Sequence, residues 1–236
     1  MTGIRKIVSR ICRKWMKMRL QPIRVFCFHQ TSETFDTNTM YFGDWTQIEQ
    51  FKRNILRLKE QYSFISLPEA FDKMKRDTFR LKKYAVLTAD DGWVSLKNIL
   101  PWLAEQQIPI TLFVNPAYLK GEDIRENGKT GLLSWSVLKE ILSEYPNITI
   151  ASHGWSHSYA TSLSEEEFEK DVLRCQKFLQ KSNRYIDYYA YPCGYCSTRT
   201  EAVLHKLNIV PVYMEGKLNY TYMGGIHRES LDGLCL

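Results

Sequence analysis

Tyr84-Ala-Val-Leu-Thr-Ala-Asp-Asp-Gly92 is an apolar run that breaks abruptly into two carboxylates and a glycine. Further along, Thr149-Ile-Ala-Ser-His-Gly-Trp-Ser-His157 repeats the pattern, with histidines in place of the carboxylates. Both stretches read as buried parallel strands whose C-terminal ends deliver polar groups into one site. Two imidazoles and one carboxylate can hold a divalent cation on one face and leave the remaining positions open. A second, adjacent carboxylate is then available as a base. The pattern implies a hydrolase that works through a metal.

Working outward, strand and helix signals alternate. After Pro22, Ile23–Phe28 is a short apolar strand ending in His29, and residues 30–46 are polar and turn-rich, a loop. Helical periodicity runs from Ile48 to Gln61, a strand follows at Phe64–Leu67, and Pro68 opens a helix to Lys75. Beyond the Asp90-Asp91 strand come a helix through Ile99, Leu100 and Leu103, a strand at Ile108–Val114, a helix at Trp135–Tyr145 and a strand at Ile148–Ala151. Ser164-Glu-Glu-Glu167 has the form of a capping box and opens an amphipathic helix to Leu179. Strands at Ile186–Tyr191 and Ile209–Tyr213 flank a helix at Glu201–Leu207. Short connections in this order imply about seven parallel strands with right-handed crossovers. An incomplete or distorted (β/α) barrel accommodates site residues at every strand end better than a flat doubly wound sheet does. No Gly-rich phosphate loop follows any strand, and no repeat or linker divides the chain.

Composition sets the surroundings. The 236 residues are 44% hydrophobic and 13% aromatic, enough for one large core. The net charge of +6 is concentrated at the start, where eight basic residues lie between Arg5 and Arg24 and no acidic residue precedes Glu33. The rest is near neutral, which argues against a nucleic-acid footprint. Residues 1–22 are expected as a separate basic amphipathic helix, with residues 23–236 as the catalytic domain. Ile4, Ile7, Val8, Ile11, Trp15 and Met18 form one stripe of that helix, and Lys6, Arg10, Arg13 and Lys17 form the other. Residues 4–19 can lie on an anionic membrane surface, or pack the apolar stripe on the domain with the basic face solvated. The segment is too charged to span a bilayer and lacks the apolar stretch of a signal peptide. Six scattered cysteines fit free thiols in a reducing compartment, and Cys193-Gly-Tyr-Cys196 lacks the partner motif that a redox or zinc site requires. The expected location is cytoplasmic, peripheral on the inner membrane face.

In order, Thr88-Ala-Asp-Asp91, His153-Gly-Trp-Ser-His157 and Ala190-Tyr-Pro-Cys-Gly194 resemble the three leading motifs of the polysaccharide deacetylases with a NodB-like domain, carbohydrate esterase family 4. The resemblance runs from residue 23 to the end. It implies that Asp91, His153 and His157 bind the metal, zinc or else cobalt or nickel, and that Asp90 is the general base. It also implies that the Pro192-Cys193-Gly194 turn offers the Cys193 N–H to an oxyanion. Ala89 stands where the family has Phe, and Ala190 where many members have the Arg that orients the base. Gly225-Ile-His227 is the nearest counterpart of the late Leu-x-His motif and makes His227 the expected general acid, with His29 as the alternative and Arg228 as a rival match to that motif.

The chemistry follows. A cation in such a site lowers the pKa of a water from about 16 to roughly 7 and polarises an acyl oxygen. Asp90 takes the water's proton, and a cationic histidine protonates the leaving amine. The expected activity is N-deacetylation of a sugar or glycan intermediate, lipid- or nucleotide-linked, releasing acetate. An amidohydrolase on a non-carbohydrate C–N bond and a catalytically silent metal-bearing glycan-binding module are the alternatives. His29 reads also as a core histidine, and His205 as a surface residue of a helix. Tyr188, Tyr189 and Tyr191 read as strand packing. Trp93, Trp135 and Trp155, beside site-bearing loops, read as buried rings or as planes for a sugar face.

Overall fold

The computed structural model describes residues 20–35, 44–77, 79–122 and 131–232. Of the helix expected over residues 1–22, residues 1–19 lie outside them; Leu20 to Pro22 are not helical, and Leu20 bridges to Arg80. The domain is a parallel sheet nearly closed into a barrel, with helices between the strands. Its principal strands are β1 (Ile23–Phe28), β5 (Tyr84–Asp91), β6 (Ile110–Val114), β7 (Ile148–Ser152), β8 (Tyr185–Ala190) and β9 (Val210–Tyr213). Two-residue strands β10 (Ile226–His227) and β11 (Glu229–Ser230) complete the order β10-β9-β8-β7-β6-β5-β1-β11, with β4 (Ser63–Phe64) alongside β5. Every pairing is parallel.

Alternation along the strands sorts the core into two layers. Ile23, Val25, Val86, Phe113, Ala151, Tyr188, Ala190, Val212 and Ile226 form the barrel interior. Phe26, Phe28, Leu87, Ala89, Leu112 and Ile150 face outward onto the helical layer. Burial on both faces explains why the strands read as continuous apolar runs.

Helices α1 (Ile48–Gln61), α2 (Leu67–Arg76), α3 (Leu100–Glu105), α4 (Pro116–Leu119), α5 (Trp135–Glu144), α6 (Glu165–Leu179) and α7 (Thr198–Lys206) connect them. The capping box on α6 forms as the sequence suggests, with Ser164 and Glu167 exchanging bonds. The α7 start lies three residues earlier than expected, because Ser197 and Thr200 make a second box. Pro68 lies in the first turn of α2, behind the Ser66 cap. Leu67, Ala70 and Met74 of α2 enter the barrel interior and stopper its N-terminal end.

Two departures matter. Residues 30–46 are not wholly loop: β2 (Gln30–Ser32) and β3 (Trp45–Gln47) pair in parallel as a small separate sheet. The second departure is the closure. Residues 226–230 act as one split strand, whose first half pairs with β9 and whose second half pairs with β1. Arg228 lies between the halves, and its N–H donates to the Tyr213 carbonyl. Asn219 stitches the seam, donating to the carbonyls of Ile23 and His227 and accepting from the His227 N–H. Gly225 is required here, because a Cβ would lie 2.1 Å from the Tyr213 ring.

Candidate active site

Asp90 ends the inward-facing series Val86, Thr88, Asp90, so alternation alone points it into the barrel. By the same rule Asp91 would face out. It has φ 71°, a left-handed conformation that breaks the alternation and keeps both carboxylates at one site. His157 (φ 60°) and Cys193 (φ 53°) share that uncommon geometry. Each such residue costs on the order of 1–2 kcal/mol, a strain that concentrates at functional positions.

Ligand atoms of Asp91, His153 and His157 lie within 4.8 Å of one another. The Nε2 atoms of His153 and His157 are 3.7 and 3.4 Å from Asp91 Oδ1. His153 is buried, and its Nδ1 is 2.9 Å from the Ala190 carbonyl. A carbonyl can only accept, so Nδ1–H donates to it and Nε2 is the nitrogen turned toward the carboxylates. Trp93 Nε1 donates to Asp91 Oδ2 at 3.1 Å and orients it. Two imidazole nitrogens and a carboxylate within this radius suit a divalent cation of the zinc type.

The loop carrying the histidines is held from below. Asn115 Nδ2 donates to the carbonyls of His153 and Gly154, and the Trp155 N–H donates to Asp171 of α6 at 3.1 Å. Burial raises the Asp171 pKa, against the opposing bond from Trp155. Gly154 has φ 76°, and a Cβ there would approach the Tyr189 hydroxyl to 3.1 Å.

Asp90 is gripped by Arg228, whose two terminal nitrogens lie 2.7 and 2.8 Å from the two carboxylate oxygens. Arg228 also bonds Thr88 Oγ1 at 3.1 Å and lies over the Phe113 ring. Burial opposes the Asp90 charge, but the Arg228 guanidinium, with help from His153, holds the carboxyl far below the usual range. Ala190 offers no side chain that could grip Asp90, and Arg228 does so from the barrel seam.

His227, the expected general acid, is not among the cavity-lining residues. Its neighbour Ile226 faces the barrel interior, so His227 faces out, where its ring stacks on Tyr213 at 5.2 Å. Its Nδ1 is 3.4 Å from Glu215, and burial lowers its pKa. His29 occupies the cavity instead. It follows the inward series Ile23, Val25, Cys27, and its Nδ1 is 2.6 Å from Asp232 Oδ2. The His29 N–H also donates to Asp232. Burial works against a charged imidazole, yet the Asp232 hydrogen bond and charge outweigh it and push the His29 pKa up to about 10. His29 is thus an imidazolium bonded to a carboxylate, not a core histidine satisfied by backbone.

These groups line one cavity of about 500 Å³ at the C-terminal ends of the strands, which also takes in Asp44, Tyr118, Tyr159, Tyr191, Cys193 and Gly194. Pro192 is buried beneath, starting the turn that presents Cys193. Of the three tryptophans beside site loops, Trp93 and Trp155 are buried, Trp155 under the Arg174 guanidinium at 3.5 Å, and Trp135 packs on Phe178. None of the three lines the cavity. Tyr159 does, and its ring meets that of Tyr195 edge-on at 5.1 Å. Both are exposed.

A nearly closed parallel barrel that gathers two carboxylates and two imidazoles at its strand ends defines the chain as an α/β-barrel protein with an enzyme-like site. The polysaccharide deacetylase family model matches residues 79–212, more than half of the chain, and the chain belongs to that family. Among solved structures it is similar to IcaB from Ammonifex degensii (TM-score 0.73, 19% identity, covering 91% of this chain and 94% of that one). It is also similar to the Streptococcus pyogenes deacetylase PplD in complex with acetate (0.72, 18%, 90% and 93%). A de-N-acetylase from Aggregatibacter actinomycetemcomitans has the same likeness (0.72, 16%, 90% and 95%). At these identities the likeness is one of fold. The search of curated proteins gives no match.

Proposed function

We propose that this chain removes N-acetyl groups from the sugars of a glycan, releasing acetate, and that Asp91, His153 and His157 hold a divalent metal for the reaction. The observation that carries the reading is the pair of opposed groups in one cavity. Asp90 is held ionised by Arg228, and His29 is held protonated by Asp232. Amide hydrolysis needs such a pair: a base for the attacking water and an acid for the departing nitrogen. Family membership supports the deacetylase chemistry, and the Streptococcus pyogenes deacetylase of like fold is seen with acetate, the product expected here.

Zinc, cobalt or nickel suits the donor set, and when bound supplies Lewis acidity toward an acyl oxygen and a water. Asp90 accepts the proton of that water as its oxygen bonds to the acyl carbon. The Cys193 N–H, in the Pro192–Gly194 turn, faces the negative charge that develops on the acyl oxygen. When the C–N bond breaks, His29 donates its Nε2 proton to the nitrogen, and Asp232 retains the ring's orientation through Nδ1. Acetate and a free amine result. Tyr159 and Tyr195 at the rim offer aromatic surface to the sugars flanking the reacting one. The glycan is lipid- or nucleotide-linked, and basic residues 4–19 bring the protein to an anionic membrane surface on the cytoplasmic side. No helix among the described residues is long and apolar enough to cross a membrane.

The test is metal content paired with acetate release from N-acetylated oligosaccharides. Wild type should carry stoichiometric metal and release acetate, His153→Ala should lose both, and Asp90→Asn should keep the metal and lose turnover. A metal-free wild type, after reconstitution with zinc, cobalt or nickel, overturns the reading.

A further inference from the structure

The opposite end of the barrel has its own surface. Arg80 is buried there, donating to the carbonyls of Gln21, Lys73 and Tyr220, while the Gln21 N–H donates to the Arg80 carbonyl. In an extended segment the neighbours of an inward residue point outward. Phe79 and Leu81 accordingly stand 58% and 64% exposed. Met223 is 85% exposed and follows Tyr222, whose N–H donates to the Met74 carbonyl of α2. Three large apolar side chains therefore project from the stoppered end. Lys75, Lys82 and Lys83, near them in the chain, are exposed, and so is Arg76 beside Asp72. The acids nearby are engaged: Asp72 pairs with Arg76, Glu69 with Lys73 and Asp77 with Arg80.

We propose that this end of the barrel docks on an anionic lipid bilayer, with Phe79, Leu81 and Met223 entering the interface and the lysines facing lipid phosphates. Apolar knobs flanked by flexible cations are the chemistry an anionic bilayer recognises, since it gives both a hydrocarbon boundary and negative potential. Continuity with the chain supports that partner. Leu20 bridges to Arg80 at the centre of the surface. The nineteen residues before Leu20 carry seven Lys or Arg and no acidic residue. The basic segment of the sequence thus joins the folded domain at this surface. The proposal extends membrane contact from residues 4–19 to the domain itself and does not depend on the deacetylase reading.

The surface sets an orientation. The cavity lies at the other end of the strands, and β5 spans eight residues, on the order of 25 Å. A docked barrel opens away from the bilayer, toward a glycan extended from the surface and not toward a sugar beside its lipid.

The experiment is co-sedimentation of the full chain with phosphatidylcholine vesicles, with and without phosphatidylglycerol. Phe79→Glu/Leu81→Glu and Lys82→Glu/Lys83→Glu are compared with wild type, with thermal stability and acetate release as controls. Wild type should bind only the anionic vesicles, and each double variant should bind about tenfold or more weakly at unchanged stability and acetate release. Equal binding by wild type and both variants overturns the surface and leaves the N-terminal segment as the sole contact. A variant that changes oligomeric state in light scattering without changing vesicle binding also overturns it, in favour of an interface between copies. Loss of acetate release in every protein, wild type included, sinks the deacetylase reading and leaves the vesicle result standing.

Discussion

Arg228 and Asp90 face each other through two parallel hydrogen bonds of 2.7 and 2.8 Å, although 138 residues separate them. Both side chains are buried. Removing one partner of such a pair costs about 3–5 kcal/mol, because the other charge stays buried and unpaired. Arg228→Met is therefore expected to destabilise the fold by that order and to depress kcat, with Asp90 no longer fixed as a base. Arg228→Lys should recover part of the stability and little of kcat, since one ammonium cannot grip both oxygens. Equal kcat in wild type and Arg228→Met would show that Arg228 has no part in positioning the base.

The proton donor separates the two histidine assignments. His29→Gln and Asp232→Asn are expected to lower kcat by roughly 10²–10⁴-fold, the usual worth of a positioned acid. His227→Ala should stay within a few-fold of wild type, because its ring lies outside the cavity, against Tyr213. The reverse ranking in steady-state kinetics would restore the assignment to His227.

The same dyad has a signature in stability. The His29 pKa is pushed up to about 10 in the folded protein, against about 6.5 in an unfolded chain. Between those values the folded state binds the extra proton. The stabilisation is full below about pH 6.5, declines as pH rises and is gone above about pH 10. Thermal melts of the metal-free protein should show a gap between wild type and His29→Gln that closes across this window. A gap that widens with pH would reverse the sign and remove the ion pair.

Legibility in the sequence follows how local each cause is. The ends of β5 and β7 announce themselves because a strand buried on both faces must be apolar until its site begins. Arg228 is invisible as a partner of Asp90, since the contact crosses the barrel seam and β10 and β11 are two residues each. A signal for which histidine enters the cavity did exist. Period-2 alternation along Ile23, Val25, Cys27, His29 puts His29 inside, and Ile226 and Arg228 facing in leaves His227 facing out. Motif likeness points to His227, whereas alternation places His29, and not His227, in the cavity. Asn115 and Asp171 had no signal, because their bonds go to backbone groups of a loop distant in sequence.

Those two residues carry a prediction of their own. They hold the loop on which His153 and His157 stand, without lining the cavity. Asn115→Ala and Asp171→Asn are expected to weaken metal affinity by about 10–100-fold, as for other groups that orient ligands from behind. Titration of the apo protein with zinc reads this directly. Wild-type affinity in both variants would mean that the loop keeps its shape unaided.

The rim tyrosines bear on glycan length. Tyr159 and Tyr195 are exposed yet fixed against each other at 5.1 Å, so a sugar that stacks on them orders little that is not already ordered. An aromatic contact of this kind is worth about 0.5–1.5 kcal/mol beyond its buried area. Tyr159→Ala and Tyr195→Ala should each raise KM about tenfold for a long N-acetylated oligosaccharide, and leave kcat/KM for a single N-acetylated sugar nearly unchanged. Tyr195→Trp should preserve the long-substrate KM, since it keeps a ring at that place. An equal loss on both substrates would assign the pair to the cavity's structure, and no loss on either would remove the rim from glycan binding.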